Sequence, residues 1–355
     1  MSLFSPFTVK SVTFRNRILV SPMCQYSSVN GLPNEWHHTH LGSRAVGGAA
    51  AVIMEATGVT PEGRITPDDM GIWSDDHAES FRPITRFIKS HGAVAGIQLA
   101  HAGRKASTYA PWKGEGSLRP EDGAWTTLAP SAIPFQSHWQ VPKAMEEVEI
   151  KTAVAAFSQA ARRAFDAGFE FVEIHSAHGY LLNQFLSPLS NHRQDEYGGS
   201  LENRMRFPLA VAAAVRQAWP ENLPLSVRIS AVEWVQGGWT LEESVELAKR
   251  LKGLGVDLVD CSSGGSSPHA KIPVAPGYQV PFAEKIKKEA GIETIAVGLI
   301  TEPAQADAII REGRADLVAL ARAFLRDPYW ALNAADALGV DVPWPVQYTR
   351  AKPRR

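Results

Sequence analysis

Residues 173–180 read EIHSAHGY and place two histidines, three positions apart, just before a glycine and a tyrosine. Imidazole nitrogens can bind a metal ion, or they can donate hydrogen bonds to an oxygen atom that gains negative charge during a reaction. A nearby tyrosine can give a proton to a neighbouring carbon atom. His175, His178 and Tyr180 therefore allow three interpretations: a metal site, an oxygen-binding and proton-donating group, or polar side chains of an ordinary loop.

The metal hypothesis recruits Glu173 or His101 as a further ligand of a divalent cation. Glu173 and His175 are two positions apart, so on a strand their side chains point to the same face. A His-x-x-His pair is common by chance, however, and no carboxylate of the kind that metal-dependent barrels use lies near it in the sequence. A metal-dependent lyase or hydrolase that uses His175 and His178 is therefore the second hypothesis, behind the oxygen-binding pair.

The composition of the 355-residue chain is that of an ordinary globular protein, with 45% apolar residues, 21% charged residues and a net charge of −1. This charge does not predict a nucleic acid or an anionic membrane as a partner. The segment MSLFSPFTVKSV lacks the pattern of a secretory signal, and the longest run of small apolar residues is too short for a bilayer span and carries Glu55. Cys24 and Cys261 give no disulfide framework, so we predict a cytoplasmic protein.

Short apolar runs alternate with longer amphipathic segments along the chain. Several runs are apolar on both faces, which is typical of strands buried in a parallel sheet. The eight runs cover residues 17–22, 50–59, 94–101, 169–179, 223–230, 257–264, 293–300 and 315–325. Eight βα units favour an α/β fold with a single closed (β/α)₈ TIM barrel in residues 1–355, rather than an open doubly wound sheet, which an early G-x-G-x-x-G motif would favour.

Three of the intervening segments carry clear helix signals, at residues 152–168, 240–255 and 302–313. Thr240 and Glu243 have the spacing of a capping box, and Gly168 stands where a helix would end. The stripe that the first helix should bury consists of Val154, Phe157, Ala161, Ala164 and Phe165.

Residues 102–145 match neither pattern and are rich in glycine, proline and tryptophan. A stretch of this length without regular structure inside a compact domain is usually functional. It follows the third predicted strand, on the side where barrel loops build active sites. We therefore expect a capping insertion over the site.

Polar residues concentrate at the predicted strand ends, where enzymes with this fold carry their chemistry. The first strand ends in SPMCQY, the third in QLAHAGR and the fourth in EIHSAHGY, and the eighth runs into ARAF. The fifth strand carries Arg228 near its end.

These motifs, together with EATGVTPEGR and the segment DEYGGSLENR, resemble the old yellow enzyme family of flavin-dependent ene-reductases, in collinear order over nearly the whole chain. The cysteine in SPMCQY and the short length resemble the bacterial thermophilic-like branch, which includes the xenobiotic reductases. The resemblance implies a (β/α)₈ barrel with non-covalent FMN across its carboxyl-terminal mouth. It further implies NADPH or NADH as reductant and a small activated alkene as substrate.

Carried over residue by residue, the resemblance gives a set of cofactor-binding positions. Gln98 and Arg228 would meet the pyrimidine edge of the flavin, where a fixed cation favours negative charge on the reduced ring. Arg322 would clamp the phosphate, although the chain has Ala-Arg where many members have Gly-Arg. The full set is Ser21, Pro22, Met23, Cys24, Ala56, Gln98, His175, Arg228, Gly298, Leu299, Ala321 and Arg322.

The same resemblance assigns the substrate side. His175 and His178 would bind the carbonyl oxygen of the alkene, Tyr180 would donate the proton, and Tyr26 and Cys24 would contact the substrate. Glu173 would point elsewhere and pair with a neighbouring cation. The tail, residues 340–355, carries Arg350 at the position of an arginine that reaches the neighbouring subunit's site, which implies a homodimer or homotetramer.

Overall fold

The apolar runs form the strands of a closed barrel. The structure is a computed structural model that describes residues 1–353, so residues 354–355 of the predicted domain and tail lie outside the described residues. The strands of residues 1–353 are β1 (Phe7–Val9), β2 (Val12–Phe14), β3 (Ile18–Val20), β4 (Ala51–Gly58), β5 (Val94–Ala100), β6 (Leu128–Ala129), β7 (Lys143–Ala144), β8 (Phe171–Ser176), β9 (Leu225–Ser230), β10 (Leu258–Ser262), β11 (Glu293–Ala296) and β12 (Leu317–Leu320).

Eight of these strands are parallel and close on themselves in the order β3, β4, β5, β8, β9, β10, β11 and β12. Nearly every residue of the eight strands is buried, as strands covered by side chains inside the barrel and by helices outside it must be. The predicted (β/α)₈ barrel is confirmed.

The helices pack around the barrel and alternate with its strands. Those of residues 1–353 are α1 (Glu35–Val46), α2 (Asp75–Ser90), α3 (Glu147–Asp166), α4 (Leu181–Leu186), α5 (Leu201–Ala218), α6 (Leu241–Gly253), α7 (Val280–Ala290), α8 (Pro303–Arg311), α9 (Arg322–Arg326) and α10 (Trp330–Ala337). At the start of α6 the capping box is present: Glu243 N donates to Thr240 Oγ1 at 3.3 Å, and Thr240 N donates to Glu243 Oε2 at 2.9 Å.

The structure differs from the sequence prediction at some element ends. The eighth apolar run is not one strand, because the chain leaves β12 at Ala321 and turns into α9. Helix α3 begins at Glu147, earlier than predicted, where a capping box formed by Glu146 and Glu149 replaces the usual hydroxyl cap. Phe165 is 49% exposed rather than buried, since its position lies at the edge of the apolar stripe.

The capping insertion, residues 102–145, contains only short elements: two turns of 3₁₀ helix and the two-residue strands β6 and β7. It is joined to the barrel at the carboxyl ends of the strands. There Arg104 Nη2 donates to Ser266 O at 2.8 Å, in the loop between β10 and α7. The insertion therefore lies on the side that carries the polar strand ends.

The last described residues form a tail on the opposite side of the barrel. Residues 343–347 of the tail line a groove with Arg15, Gly48 and His91, which belong to segments that lead into the amino-terminal ends of the strands. Within the described residues, no helix combines the length and the apolar character needed to cross a membrane.

Candidate active site

The carboxyl end of β8 brings His175, His178 and Tyr180 together. The ring centroids of the two histidines, called the histidine pair below, lie 5.1 Å apart with the rings nearly perpendicular. The ring of Tyr180 lies 5.0 Å from that of His175. His175 is buried, whereas His178 and Tyr180 are partly exposed. The three side chains thus form one cluster with an open side.

Burial decides the charge of this cluster. Desolvation, followed by the positive charge of Arg228, holds the pKa values of His175 and His178 well below the usual range of histidine. Both imidazoles are therefore neutral at pH 7, and each can donate one N–H. Burial raises the pKa of the Tyr180 phenol well above its usual range, so the phenol keeps its proton.

The loop that presents the histidine pair is held by the ends of the next two strands. His178 has a positive φ of 59°, and its backbone N–H donates to Ser230 Oγ at 2.8 Å. Ser230 in turn donates to Gly264 O at 2.7 Å. In the side chain of His178, Nε2 forms a hydrogen bond of 2.7 Å with Ser262 Oγ. This bond fixes the orientation of the imidazole ring. Gly179, with a φ of 73°, completes the turn.

Lys105 of the capping insertion reaches into the same cluster. Its Nζ donates to His178 O at 2.9 Å and to Gly265 O at 3.0 Å. It also lies 5.0 Å from the centroid of the Tyr180 ring and 4.6 Å from that of Phe135. Burial lowers the pKa of Lys105 to about 8. One ammonium group therefore ties the insertion, the β8 loop and the β10 loop together.

The loop after β3 lines another side of the barrel mouth. Tyr26 has a positive φ of 47°, and its ring packs edge-on against Trp112 of the insertion at 5.7 Å. Ser21 is buried, and the partly exposed residues are Pro22, Met23, Cys24 and Tyr26.

A bulge in β4 anchors this loop. The register of β4 against β5 shifts between Met54 and Ala56, which turns Glu55 toward the β3 loop. Glu55 Oε2 accepts a hydrogen bond from Gln25 N at 2.7 Å, and Glu55 Oε1 lies 3.3 Å from His37 Nε2. Ala56 follows the bulge and is 6% exposed.

Cys24 and Tyr26 share an acidic environment. Desolvation, and then the charges of Asp69 and Glu55, raise the pKa of the Cys24 thiol well above its usual range. Desolvation is also the largest cause that raises the pKa of Tyr26, followed by the neighbouring Cys24 and then Asp69. Cys24 is therefore held as a neutral thiol, and its properties depend on carboxylates that are distant in sequence.

Gln98 and Arg228 project into the barrel at the level of the strand ends. Arg228 is 6% exposed and donates through Nη1 to Ser21 Oγ at 3.0 Å. Glu173 does not join the histidine pair: it points into the barrel interior, where the charge of Arg228 acts on it. Glu173 lies fully buried beside Gln98, and Glu173 Oε1 accepts a hydrogen bond from Gln98 Nε2 at 2.8 Å. The strand alternation that turns His175 inward also turns Glu173 inward.

The loops after β11 and β12 lie side by side, because the two strands pair in the barrel. Gly298 has a φ of 119° and Leu299 has a φ of 49°. A Cβ atom on Gly298 would approach Gln279 Nε2 to 2.8 Å, so a side chain there would crowd the loop. Ala321 is partly exposed, and Arg322 next to it is exposed.

Further polar side chains lie between the β10 loop and the end of β11. Ser263 Oγ donates to Gln279 Oε1 at 2.6 Å, and Gln279 Nε2 donates to Val297 O at 3.1 Å. Tyr278 lies close to both Arg322 and Ser263: burial raises its pKa, and the charge of Arg322 lowers it. These contacts join the β10 loop, Ser262 to Gly265, to the end of β11.

Arg350 does not join the site of its own chain. It lies in a 3₁₀ segment, Val346–Ala351, and is exposed. The neighbouring Tyr348 contacts Tyr329, and the preceding tail lines the groove on the amino-terminal side of the barrel.

The third ligand that the metal hypothesis requires is engaged elsewhere. His101 Nδ1 accepts a hydrogen bond from Gly103 N at 3.1 Å. Glu173 accepts its hydrogen bond from Gln98 inside the barrel. In residues 1–353, no group of three or more His, Cys, Asp or Glu side chains is placed to hold a metal ion.

Sequence reasoning missed several residues of this site. Lys105 directly follows the motif QLAHAGR, and this position was the only signal that the sequence gave for it. Glu55, and Asp260, whose carboxylate lies 3.4 Å from Arg228 Nε, are single acidic residues inside apolar runs. This is itself a signal, because a buried carboxylate requires a partner. Asp69 lies in a polar loop and gave no signal in the sequence.

The residues at the barrel mouth fit the cofactor FMN that the motifs imply. His175 Nδ1 is a buried nitrogen with no hydrogen-bond partner in the described residues, and Arg228 places a cation at the strand ends, where its Nη1 donates to Ser21. At the other end, the positive-φ backbone of Gly298 and Leu299 and the exposed Arg322 offer N–H groups and a cation to a phosphate. A flat ring with a polar edge and a phosphate tail suits this donor set.

Comparisons with known proteins agree with this assessment. Residues 2–339 match the model of the NADH:flavin oxidoreductase / NADH oxidase family. The chain is 52% identical over 350 residues to the NADPH dehydrogenase of Geobacillus sp. (strain WCH70), and the match covers 98% of each chain.

Solved structures with the same fold are also similar. The old yellow enzyme homologue from Zymomonas mobilis has a TM-score of 0.79 and 26% identity, with full coverage of both chains. A complex of 2-naphthoyl-CoA reductase with 2-naphthoyl-CoA has a TM-score of 0.85 and 26% identity over 96% of this chain. The match covers 52% of that reductase, so the present chain spans about half its length.

Proposed function

The chain belongs to the NADH:flavin oxidoreductase / NADH oxidase family, which includes old yellow enzyme, and we propose that it is an FMN-dependent ene-reductase. Its reductant is NAD(P)H. Its proposed substrates are activated alkenes, such as α,β-unsaturated ketones and aldehydes, whose C=C bond it reduces.

The observation that carries this proposal is the neutral histidine pair beside a neutral tyrosine. Two uncharged N–H donors can hold a carbonyl oxygen and stabilise the negative charge that this oxygen gains as the alkene accepts hydride at its β-carbon. Such donors act mainly on the transition state, since the charge is greatest there. Loss of one donor of this kind typically costs about 3 kcal/mol of transition-state stabilisation.

Tyr180 is the proposed proton donor to the α-carbon. Its raised pKa keeps the proton on the phenol throughout the neutral range. The ammonium group of Lys105 lies 5.0 Å from its ring centroid and stabilises the negative charge that the phenol oxygen gains as the proton leaves. Cys24 and Tyr26 are proposed to contact the substrate from the β3 loop.

The cofactor, when bound, supplies the hydride transfer that no side chain provides. We propose that Gln98 and Arg228 hold its pyrimidine edge, with the cation of Arg228 favouring electron uptake. The proposed phosphate ligands are Arg322 and the backbone of Gly298, Leu299 and Ala321. The proposed neighbours of the ring are Ser21, Pro22, Met23, Cys24, Ala56 and His175.

The reductant and the alkene are proposed to use the same open side of the histidine pair in turn, in a ping-pong cycle. The capping insertion and the β3 loop meet at the contact between Tyr26 and Trp112, which supports a single shared mouth.

Two measurements test this function. The purified protein should show the visible absorption of flavin, with the yellow colour released on denaturation. Tyr180→Phe should slow reoxidation of the reduced protein by an enone by about 10²-fold or more, because general acid catalysis is lost, and leave reduction by NADPH unchanged. Stopped-flow absorbance separates the two half-reactions.

Tyr109→Phe is the matched control, because Tyr109 lies in the capping insertion and bonds to Asp122. It should leave both half-reactions as in the wild type. Equal slowing of both half-reactions by Tyr180→Phe would contradict the donor role. A colourless protein that does not take up added FMN would contradict the function as a whole.

A further inference from the structure

Below the histidine pair, the barrel interior holds a cluster of polar side chains from four neighbouring strands. Gln98 of β5, Glu173 of β8, Arg228 of β9 and Asp260 of β10 are 2%, 0%, 6% and 0% exposed. Strand register places Gln98 opposite Glu173 and Arg228 opposite Asp260, with Arg228 also opposite His175. We call these four residues the interior cluster.

The formal charges of the interior cluster do not balance. It contains two carboxyl groups, Glu173 and Asp260, and one cation, Arg228. Arg228 Nε lies 3.4 Å from Asp260 Oδ2, while Arg228 Nη1 donates to Ser21. Two ionised carboxylates in contact inside a barrel would leave one negative charge without compensation, and burial makes such a charge expensive.

The interior cluster also lacks a hydrogen-bond donor for one of its carboxyl groups. Neither oxygen of Asp260 accepts a hydrogen bond from an N–H or O–H donor of the described residues. Glu173 has a donor in Gln98, at 2.8 Å, and a weaker one in Ser226 Oγ, at 3.5 Å. The Asp260 carboxyl lies within hydrogen-bonding reach of the Glu173 carboxyl. A proton between these two groups would supply the missing donor.

We propose that Glu173 and Asp260 share one proton and form a single monoanion that neutralises Arg228 and holds its guanidinium toward the barrel mouth. Like-charged carboxyl groups in contact do this because both cannot ionise at once. Glu173 and Asp260 then act as positioning residues through Arg228. The shared proton stands independently of the proposed function, whereas its effect on a bound flavin rests on that function.

The groups that face the pair are consistent with one retained proton. Desolvation is the largest cause that raises the pKa of both carboxyl groups, and the charge of Arg228 is the first of the causes that lower it. His175, two positions after Glu173 on β8, is neutral. On its other side, Asp260 is in register with Ile295 of β11, which carries no charge. Loss of the shared proton would place a second negative charge in this site.

Infrared difference spectra of the apoprotein at pH 7, wild type minus variant, test the shared proton directly. We expect the C=O stretch of a protonated carboxyl group, and we expect both Glu173→Gln and Asp260→Asn to abolish it. Asp69→Asn is the matched control, because burial raises the pKa of Asp69 to about 7 and that group can contribute a separate band. This control should leave the band of the pair in place.

Labelling of the Glu or the Asp carboxyl groups with ¹³C assigns the band without any substitution, so the test stands even if a variant does not fold. A band that persists in Asp69→Asn and shifts both with the Glu label and with the Asp label supports the proposal. A spectrum whose protonated carboxyl signal is absent, or is wholly removed by Asp69→Asn, overturns it.

The reduction potential of bound flavin provides a second measurement. A purely structural role of the two carboxyl groups would not predict the following pattern of changes in that potential. Glu173→Gln replaces a shared-proton pair with an amide and a carboxylate, so the net charge is unchanged and the potential should shift little. Glu173→Gln combined with Asp260→Asn removes the remaining negative charge near Arg228 and should raise the potential.

If both carboxyl groups were ionised, Glu173→Gln alone would remove a negative charge and raise the potential, which would overturn the proposal. A protein that binds no FMN would contradict the proposed function instead, and the infrared result on the apoprotein would still decide the shared proton. The two failures are therefore distinguishable.

Discussion

Burial makes His175 and His178 uncharged hydrogen-bond donors, and this has a consequence for stability as well as for chemistry. An ordinary histidine has a pKa near 6.5. In the folded chain the pKa of each is well below that value, chiefly through desolvation. Between the lowered pKa and about 6.5, the unfolded state therefore binds more protons than the folded state, and stability rises with pH in that window.

We predict that the free energy of unfolding of the apoprotein falls as the pH is lowered below about 6.5. Each such histidine contributes a slope of at most about 1.4 kcal/mol per pH unit. His175→Gln should reduce this slope, because the substituted side chain does not titrate. Denaturant titrations at several pH values between 5 and 8 measure the slopes.

The wild type and His175→Gln each give a curve of unfolding free energy against pH. The difference between these curves isolates the contribution of His175, because the other buried groups titrate in both proteins. His138→Gln is the control, since His138 is an exposed residue of the capping insertion. An unchanged slope in His175→Gln would contradict the assignment of a buried, neutral imidazole.

Two loops, rather than any single strand, give the site its shape. The loop after β8 and the loop after β10 touch through glycines: a Cβ atom on Gly179 would lie 2.4 Å from Gly265 O. Lys105 then clamps the same two loops through its bonds to His178 O and Gly265 O. The position of the histidine pair therefore depends on close backbone contact between segments that are distant in sequence.

We predict that Gly179→Ala is strongly destabilising, by about 2–5 kcal/mol. Of this, about 1–2 kcal/mol comes from the left-handed backbone and about 1–3 kcal/mol from the clash with the β10 loop. The displaced histidine pair should also lose affinity for enones, whose carbonyl oxygen it is proposed to bind. Denaturant unfolding and ligand titration measure the two effects.

Gly313→Ala is a matched control, because Gly313 has a φ of 72°, against 73° for Gly179, and a Cβ atom there would meet nothing within 4 Å. It should show only the backbone cost of about 1–2 kcal/mol. Equal destabilisation by the two substitutions would mean that the loop contact has no role.

The tail poses a question for the whole molecule, because residues 343–347 lie on the side of the barrel opposite the histidine pair and Arg350 follows them in an exposed segment. In its own chain Arg350 is exposed, next to Tyr348, which packs on Tyr329. This placement leaves Arg350 available to a neighbouring subunit. We retain the prediction that the active unit is a homodimer or homotetramer in which Arg350 serves the partner's site.

Mixed dimers of Arg350→Ala and Tyr180→Phe subunits test this prediction. If Arg350 acts in the partner's site, one site of a mixed dimer carries both substitutions and the other carries neither, so activity should exceed that of either parent dimer. Co-expression with two affinity tags isolates the mixed species, and sedimentation gives its size. Activity no higher than the mean of the two parents would contradict the arrangement.

Local sequence patterns determined the elements of the fold. The eight barrel strands are recognisable because each is a short apolar run, and the start of α6 because Thr240 and Glu243 lie within one helical turn. The ends of elements depend on tertiary contacts. The break at Ala321 depends on where the chain leaves the barrel. The exposure of Phe165 depends on how α3 packs against its neighbours.

The sequence by itself determined the barrel, the strand ends that carry polar residues and the family resemblance, because hydrophobic periodicity and motif order are local properties. Only the tertiary structure decided which side chains meet. The charge of the histidine pair, the reach of Lys105 and the contact of Glu173 with Asp260 depend on burial and on strand register. Both arise when distant segments close into one barrel and exclude water.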